Sequence, residues 1–339
     1  MTVPIERLSP EMRQVLERLV VEDGQQPDPT TLSSTEARSL LEASNRRWNT
    51  GQPQMASVRD VSKLAGLNAT AYMPKNDDGR HAILYVHGGG WSFCSSATHD
   101  GASRQLAEAT GTTVVTFDYR LAPEHPYPVG LQDCLSIWAA RNDLCPNRTW
   151  SISGDSAGAN LAIALMLRLI EAGKTEDLPV AGLLFYGVFD ADFESSSYRE
   201  IADGPGLTRD KMRRYWDFYA PSSDRHSDPC LSPARASDAL LSGLPPLYLN
   251  AAEIDPLRSD SEALHGRLAA LGRHDQLEIV PGVIHGFMQM SLWLPQSAAA
   301  YRRAGEAFRQ MTGCAATRPL LADPLEQNGN LGSVRSNFD

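Results

Sequence analysis

Ser156 sits at the centre of Gly154-Asp155-Ser156-Ala157-Gly158, a G-x-S-x-G pentapeptide. Residues 149–152 (TWSI) before it read as a strand, and residues 157–172 after it carry the apolar pattern of a helix. A serine on a tight strand-to-helix turn presents its hydroxyl for nucleophilic attack. Glycines two residues to either side let strand and helix approach closely. The amide of Ala157, at the helix N-terminus, points where an oxyanion would develop, aided by the helix dipole. A second segment with chemical potential is His87-Gly88-Gly89-Gly90-Trp91, directly after the apolar run HAILYV at 81–86. Three consecutive glycines leave backbone N–H groups free to converge on an anion. Neither glycine pattern that cradles phosphate, G-x-G-x-x-G or G-x-x-x-x-G-K-[ST], is met. Gly88, Gly89, Gly90 and Ala157 are the candidate oxyanion donors, and which two of the glycines donate stays open.

A serine nucleophile needs a base, and the base needs an orienting acid. After an elbow of this kind the acid comes next along the chain and the histidine last. The downstream histidines are His226, His265, His274 and His285. His285 lies in the loop PGVIHGF after the strand pattern QLEIV at 276–280, where a strand-terminal catalytic loop belongs. His265 falls within a helical pattern, His274 at a helix-to-strand turn, and His226 in a polar insertion. For the acid, the strand pattern PLYLN at 246–250 runs on to Asp255, whose neighbour Pro256 stops the strand and starts a helix. Glu253 and Asp260 compete for the role. Asp255 is preferred, because Glu253 lies nearer the strand and Asp260 suits a first helical turn.

The elements that must position these residues follow from periodicity. Strand patterns at 81–86, 112–117, 149–152, 180–186, 246–250 and 276–280 alternate with helical patterns near 99–109, 129–142, 157–172, 258–271 and 295–311. That alternation predicts an α/β fold with a mostly parallel central sheet flanked by helices. Before it, residues 10–21 and 35–48 read as helices, the second behind Ser33 and Ser34 with Glu36 early, a capping arrangement. Residues 190–228 are long, polar and aromatic (Tyr215, Trp216, Phe218, Tyr219), which fits an inserted helical cap better than a structureless loop. The expected organisation is an N-terminal helical cap segment over 1–57, a catalytic domain over 58–312 with the cap insertion at about 190–228, and a loosely ordered tail over 313–339.

The 339 residues carry 31 Lys+Arg against 41 Asp+Glu, a formal charge of −10, with no basic run. That balance argues against a nucleic-acid partner and against an anionic membrane surface. No stretch approaches the ~20 apolar residues of a membrane span, and no signal peptide is visible. Five scattered cysteines without a C-x-x-C pair read as reduced thiols, so a cytoplasmic protein is expected. The eight histidines show no zinc spacing, so neither metal nor cofactor is expected.

Together HGGGW at 87–91, DYRLAPEHPYP at 118–128, GDSAGAN at 154–160, DPLRSD at 255–260 and HGF at 285–287 resemble the bacterial hormone-sensitive-lipase-like (family IV) serine esterases of the α/β-hydrolase fold. The resemblance spans about residues 58–312. It implies Ser156 as nucleophile, Asp255 as acid and His285 as base, with Gly88, Gly89, Gly90 and Ala157 supplying the oxyanion amides. It also implies a structural role for residues 119–124 in holding the oxyanion loop. The expected activity is a serine carboxylesterase acting on short- to medium-chain or aryl esters, or lactones, as a monomer or homodimer. Trp91, Phe93 and Trp216 are the expected apolar substrate pocket. Two alternatives stand beside this one. An amidase or carbamate hydrolase would use the same triad, and a non-catalytic receptor of gibberellin-receptor type would lack the histidine.

Overall fold

The computed structural model describes residues 5–313; the tail expected from 313 on lies, past Gly313, outside the described residues. The strands are β1 (Ser57–Asp60), β2 (Ala69–Met73), β3 (His81–Val86), β4 (Thr113–Phe117), β5 (Thr149–Asp155), β6 (Gly182–Phe185), β7 (Leu247–Ile254) and β8 (Gln276–Ile284). They form one sheet in the order β1-β2-β4-β3-β5-β6-β7-β8. Only the β1–β2 and β2–β4 pairings are antiparallel. The continuous apolar runs of β3, β4 and β6 are buried throughout, as strands covered on both faces must be. The longer helices are α1 (Pro10–Asp23), α2 (Ser34–Asn49), α3 (Asp100–Thr110), α4 (Val129–Ala139), α5 (Ala157–Glu171), α6 (Arg209–Tyr219), α7 (Arg258–Ala270) and α8 (Pro295–Thr312). Among the described residues no helix is long and apolar enough to cross a membrane.

Register places the chemistry. Val86 of β3 pairs with Gly154 of parallel β5, so the segment after β3 and the turn after β5 emerge side by side. β7 and β8 run parallel through a bulge at Ala252/Ile254 and end together at Ile254 and Ile284. Asp255 and His285 are the next residues on each chain. Every candidate group thus lies at the carboxyl ends of the parallel strands, where α/β sheets hold their ligands. β7 and β8 outrun their expected ends at 250 and 280, because small Ala251 and Ala252 are buried strand residues without the bulky pattern of PLYLN. Pro281 is tolerated within β8 because that strand is the sheet's edge.

The N-terminal helices close over this end. Ser33 and Glu36 form a reciprocal capping box on α2, as the S-x-x-E spacing predicts. The insertion contributes the short helix Ser196–Glu200 and α6, which buries Met212, Trp216 and Tyr219 along one face. Arg214 of α6 bonds Asp28 at 2.9 Å and Thr30 at 3.0 Å, tying the insertion to the segment between α1 and α2.

Candidate active site

Ser156 occupies the turn between β5 and α5 with φ 53° and ψ −120°, a strained backbone conformation that L-residues adopt only when their surroundings enforce it. Packing around the turn enforces it. A Cβ on Gly158 would lie 2.0 Å from the Val86 carbonyl oxygen, and one on Gly154 would lie 2.5 Å from the Gly158 carbonyl. Only glycine at both positions lets α5 start directly against β3 and β5.

His285 Nε2 lies 3.0 Å from Ser156 Oγ, and its Nδ1 lies 2.7 Å from Asp255 Oδ2. Both contacts are within reach for proton transfer. With the carboxylate accepting from Nδ1–H, Nε2 is free to accept the serine proton. The Asp255 carboxylate is fully buried and takes a second hydrogen bond from the Leu257 amide at 2.9 Å. The Tyr186 ring packs edge-on against the imidazole, centroids 4.9 Å apart.

The competing residues have other partners. Glu253 accepts the Gly282 amide at 2.8 Å and bracketing Arg7 at 3.5 Å. Asp260 is buried and accepts the amides of Phe189 and Asp190, both at 3.0 Å, which pins the start of the insertion. Burial raises its carboxyl well above the usual range. His226 is exposed, and His265 contacts the Asp275 carbonyl at 3.1 Å.

Among the four candidate oxyanion donors, the structure separates one from the rest. The Gly88 amide donates to Asp155 Oδ1 at 2.9 Å, so it is not available to an oxyanion and that expectation is corrected. The amides of Gly89, Gly90 and Ala157 donate to no described group, and Ala157 is the first residue of α5, whose N–H has no intrahelical partner. The loop is held from behind. The Tyr119 hydroxyl donates to the His87 carbonyl at 3.0 Å, the Tyr119 and His87 rings stack at 4.4 Å, and the Ala122 amide donates to the Trp91 carbonyl at 2.9 Å.

A cavity of about 160 Å³ opens on Ser156 and His285, lined also by Gly89, Gly90, Val188, Leu207, Met212 and Tyr215. A second, outer cavity of about 450 Å³ shares Leu207, Tyr215 and His285 with it and is walled by residues 23–44 of the N-terminal segment. Trp91, Phe93 and Trp216 line neither cavity, a second correction. They are 1%, 2% and 0% exposed. Trp91 stacks on Tyr219 at 4.4 Å and leans on Trp216 at 4.8 Å, cementing the glycine loop to α6. Their size and apolarity demanded burial, and packing between elements met that demand instead of a pocket. Tyr215, one residue before Trp216, faces the cavity.

Comparison with known proteins follows the same lines. A family model described as alpha/beta hydrolase fold matches residues 83–289. The chain is 33% identical over 297 residues to carboxylesterase NlhH of Mycobacterium tuberculosis, covering 83% of this chain and 92% of that protein. Among solved structures it is similar to an ester hydrolase from the Lake Arreo metagenome, crystallised with a bipyridine phosphonate derivative (TM-score 0.82, 29% identity, 90% of this chain and 99% of that one). It is also similar to the Pyrobaculum calidifontis esterase (TM-score 0.79, 30% identity, 90% and 99% covered).

Proposed function

Because the chain belongs to the alpha/beta hydrolase fold family, in its hormone-sensitive-lipase-like branch, we propose that it is a serine carboxylesterase working through an acyl-enzyme on Ser156. The observation that carries this reading is the unbroken line of contacts Asp255–His285–Ser156, 2.7 and 3.0 Å, opening on a cavity beside free backbone amides. His285 takes the proton as Ser156 Oγ attacks the ester carbonyl, and Asp255 holds the imidazole in the receiving tautomer. The amides of Ala157 with Gly89 or Gly90 stabilise the oxyanion, each such donor being worth ~2.7–4 kcal/mol in transition-state terms. The alcohol leaves with the proton from His285. Water, activated by the same imidazole, then releases the acid.

The 160 Å³ inner cavity favours short- to medium-chain or aryl esters, or lactones, over long-chain glycerides. Residues 1–57 and about 190–228 together act as the cap, with 58–312 as the catalytic domain. The enzyme works in the cytoplasm as a monomer or homodimer, a placement supported by the free thiols of Cys94, Cys134, Cys145 and Cys230. Neither alternative is favoured. The named relatives are esterases rather than amidases, and a purely binding protein has no use for a histidine 3.0 Å from a serine hydroxyl.

The test is pre-steady-state hydrolysis of a p-nitrophenyl ester panel from acetate to palmitate. A burst of one nitrophenolate per chain with short esters is expected. Absence of hydrolysis across the panel, with turnover of the matching anilides, would move the assignment to an amidase.

A further inference from the structure

Asp155 stands inside the nucleophile pentapeptide, yet it contacts neither Ser156 Oγ nor His285. Its carboxylate is buried and gathers groups from three elements. The Tyr85 hydroxyl of β3 donates to Oδ1 at 2.7 Å, the Gly88 amide donates to the same oxygen at 2.9 Å, and His99 Nε2 lies 3.5 Å away. Tyr186 interacts electrostatically with the same carboxylate, and the Tyr186 ring is the one packed against His285. Burial opposes ionisation of this carboxyl, but His99, Tyr85 and the Gly88 amide outweigh it and hold it below the usual range. Gly88 is glycine for this contact: a Cβ there would sit 2.5 Å from Asp155 Oδ2 and 2.9 Å from the Asp155 carbonyl. The loop is thus lowered onto a carboxylate, and the next two residues, Gly89 and Gly90, line the cavity with amides that donate to no described group.

We infer that Asp155 is a positioning residue for the reaction, fixing the oxyanion loop through Gly88 and the base's ring wall through Tyr186. The first link sets where the Gly89 and Gly90 amides stand relative to Ser156 Oγ. The second limits how far the His285 ring can tilt. Neither link touches the substrate, so loss of Asp155 weakens transition-state stabilisation and leaves ground-state binding in place.

This inference rests on the esterase reading, and the two fail differently. A wild-type chain without ester hydrolysis defeats the reading itself; an active wild type whose Asp155 variants are undiminished defeats only the inference. The experiment compares kcat and KM for p-nitrophenyl butyrate in Asp155→Ala and Asp155→Asn, with Tm as a check on folding. Asp155→Ala is expected to lower kcat about 100-fold, in the range of losing one oxyanion donor, with KM within threefold of wild type. Asp155→Asn keeps an oxygen that accepts from Gly88 and Tyr85, and is expected to recover at least tenfold of that loss. A folded Asp155→Ala protein with wild-type kcat overturns the inference, and so does a loss that appears in KM alone or an Asn variant no better than Ala. If Asp155→Ala does not fold, Tyr85→Phe decides. A kcat lowered several-fold at unchanged KM supports the role, and an unchanged kcat refutes it.

Discussion

At Ser156, geometry and chemistry depend on one another. The φ of 53° that exposes Oγ is held by Gly154 and Gly158, whose missing side chains leave no room for anything larger. Ser156→Ala should therefore remain folded and lose essentially all ester turnover, measured as kcat against wild type. Asp255→Asn should keep the hydrogen bond from Leu257 but hold the imidazole in the wrong tautomer, with kcat falling roughly 10⁴-fold. The meeting of Ser156, His285 and Asp255 was legible in the sequence, since all three occupy motif positions next to strand ends. What was not legible was the job of the motif's variable residue. Nothing in the letters G-D-S-A-G says that Asp155 points back at Gly88, and so Gly88 was expected to be a free donor. That contact exists only once Val86 and Gly154 are brought into register.

At the scale of elements, α6 decides which aromatic rings are buried and which line the cavities. Its sequence KMRRYWDFY advertises aromatic mass without saying which ring meets the loop, the core or the cavity. The helix turns Trp216 and Tyr219 onto Trp91 and leaves Tyr215 against Gly90, 5.8 Å from the Phe93 ring and in the wall of both cavities. Tyr215→Ala should merge inner and outer cavities. The expected outcome is a shift of about tenfold in relative kcat/KM toward octanoate over butyrate, within what a few buried methylenes are worth, read on the same ester panel. Trp216→Ala should behave otherwise. It removes a fully buried indole from the seam between α6 and the glycine loop and should cost ~3–5 kcal/mol of stability, seen as a lowered denaturation midpoint. The short strand β1 was also invisible from sequence. Its SVRD carries three exposed residues and no alternation, so only pairing with β2 makes it a strand.

For the whole molecule, the α/β alternation was readable because parallel strands buried on both faces leave unbroken apolar runs. The relation of the N-terminal segment to α6 was not, because it rests on contacts such as Arg214–Asp28 between segments 186 residues apart. Whole-molecule stability should also carry a signature of the buried loop. Burial, then the nearby His99, lowers the His87 imidazole to about 4. An unfolded chain titrates that group near 6.5, so its contribution is complete above that pH and is lost as pH falls toward about 4. The slope is up to ~1.4 kcal/mol per pH unit. The Tm of wild type should accordingly fall more steeply between pH 6.5 and 4 than that of His87→Gln, and parallel curves would show that His87 is not the group responsible.

The most direct test of the account is mass spectrometry after stoichiometric reaction with a fluorophosphonate. The account predicts one adduct per chain, on the peptide bearing Ser156, with ester hydrolysis lost in proportion to labelling. An adduct on another residue, or a fully labelled protein that still hydrolyses esters at the wild-type rate, would contradict it.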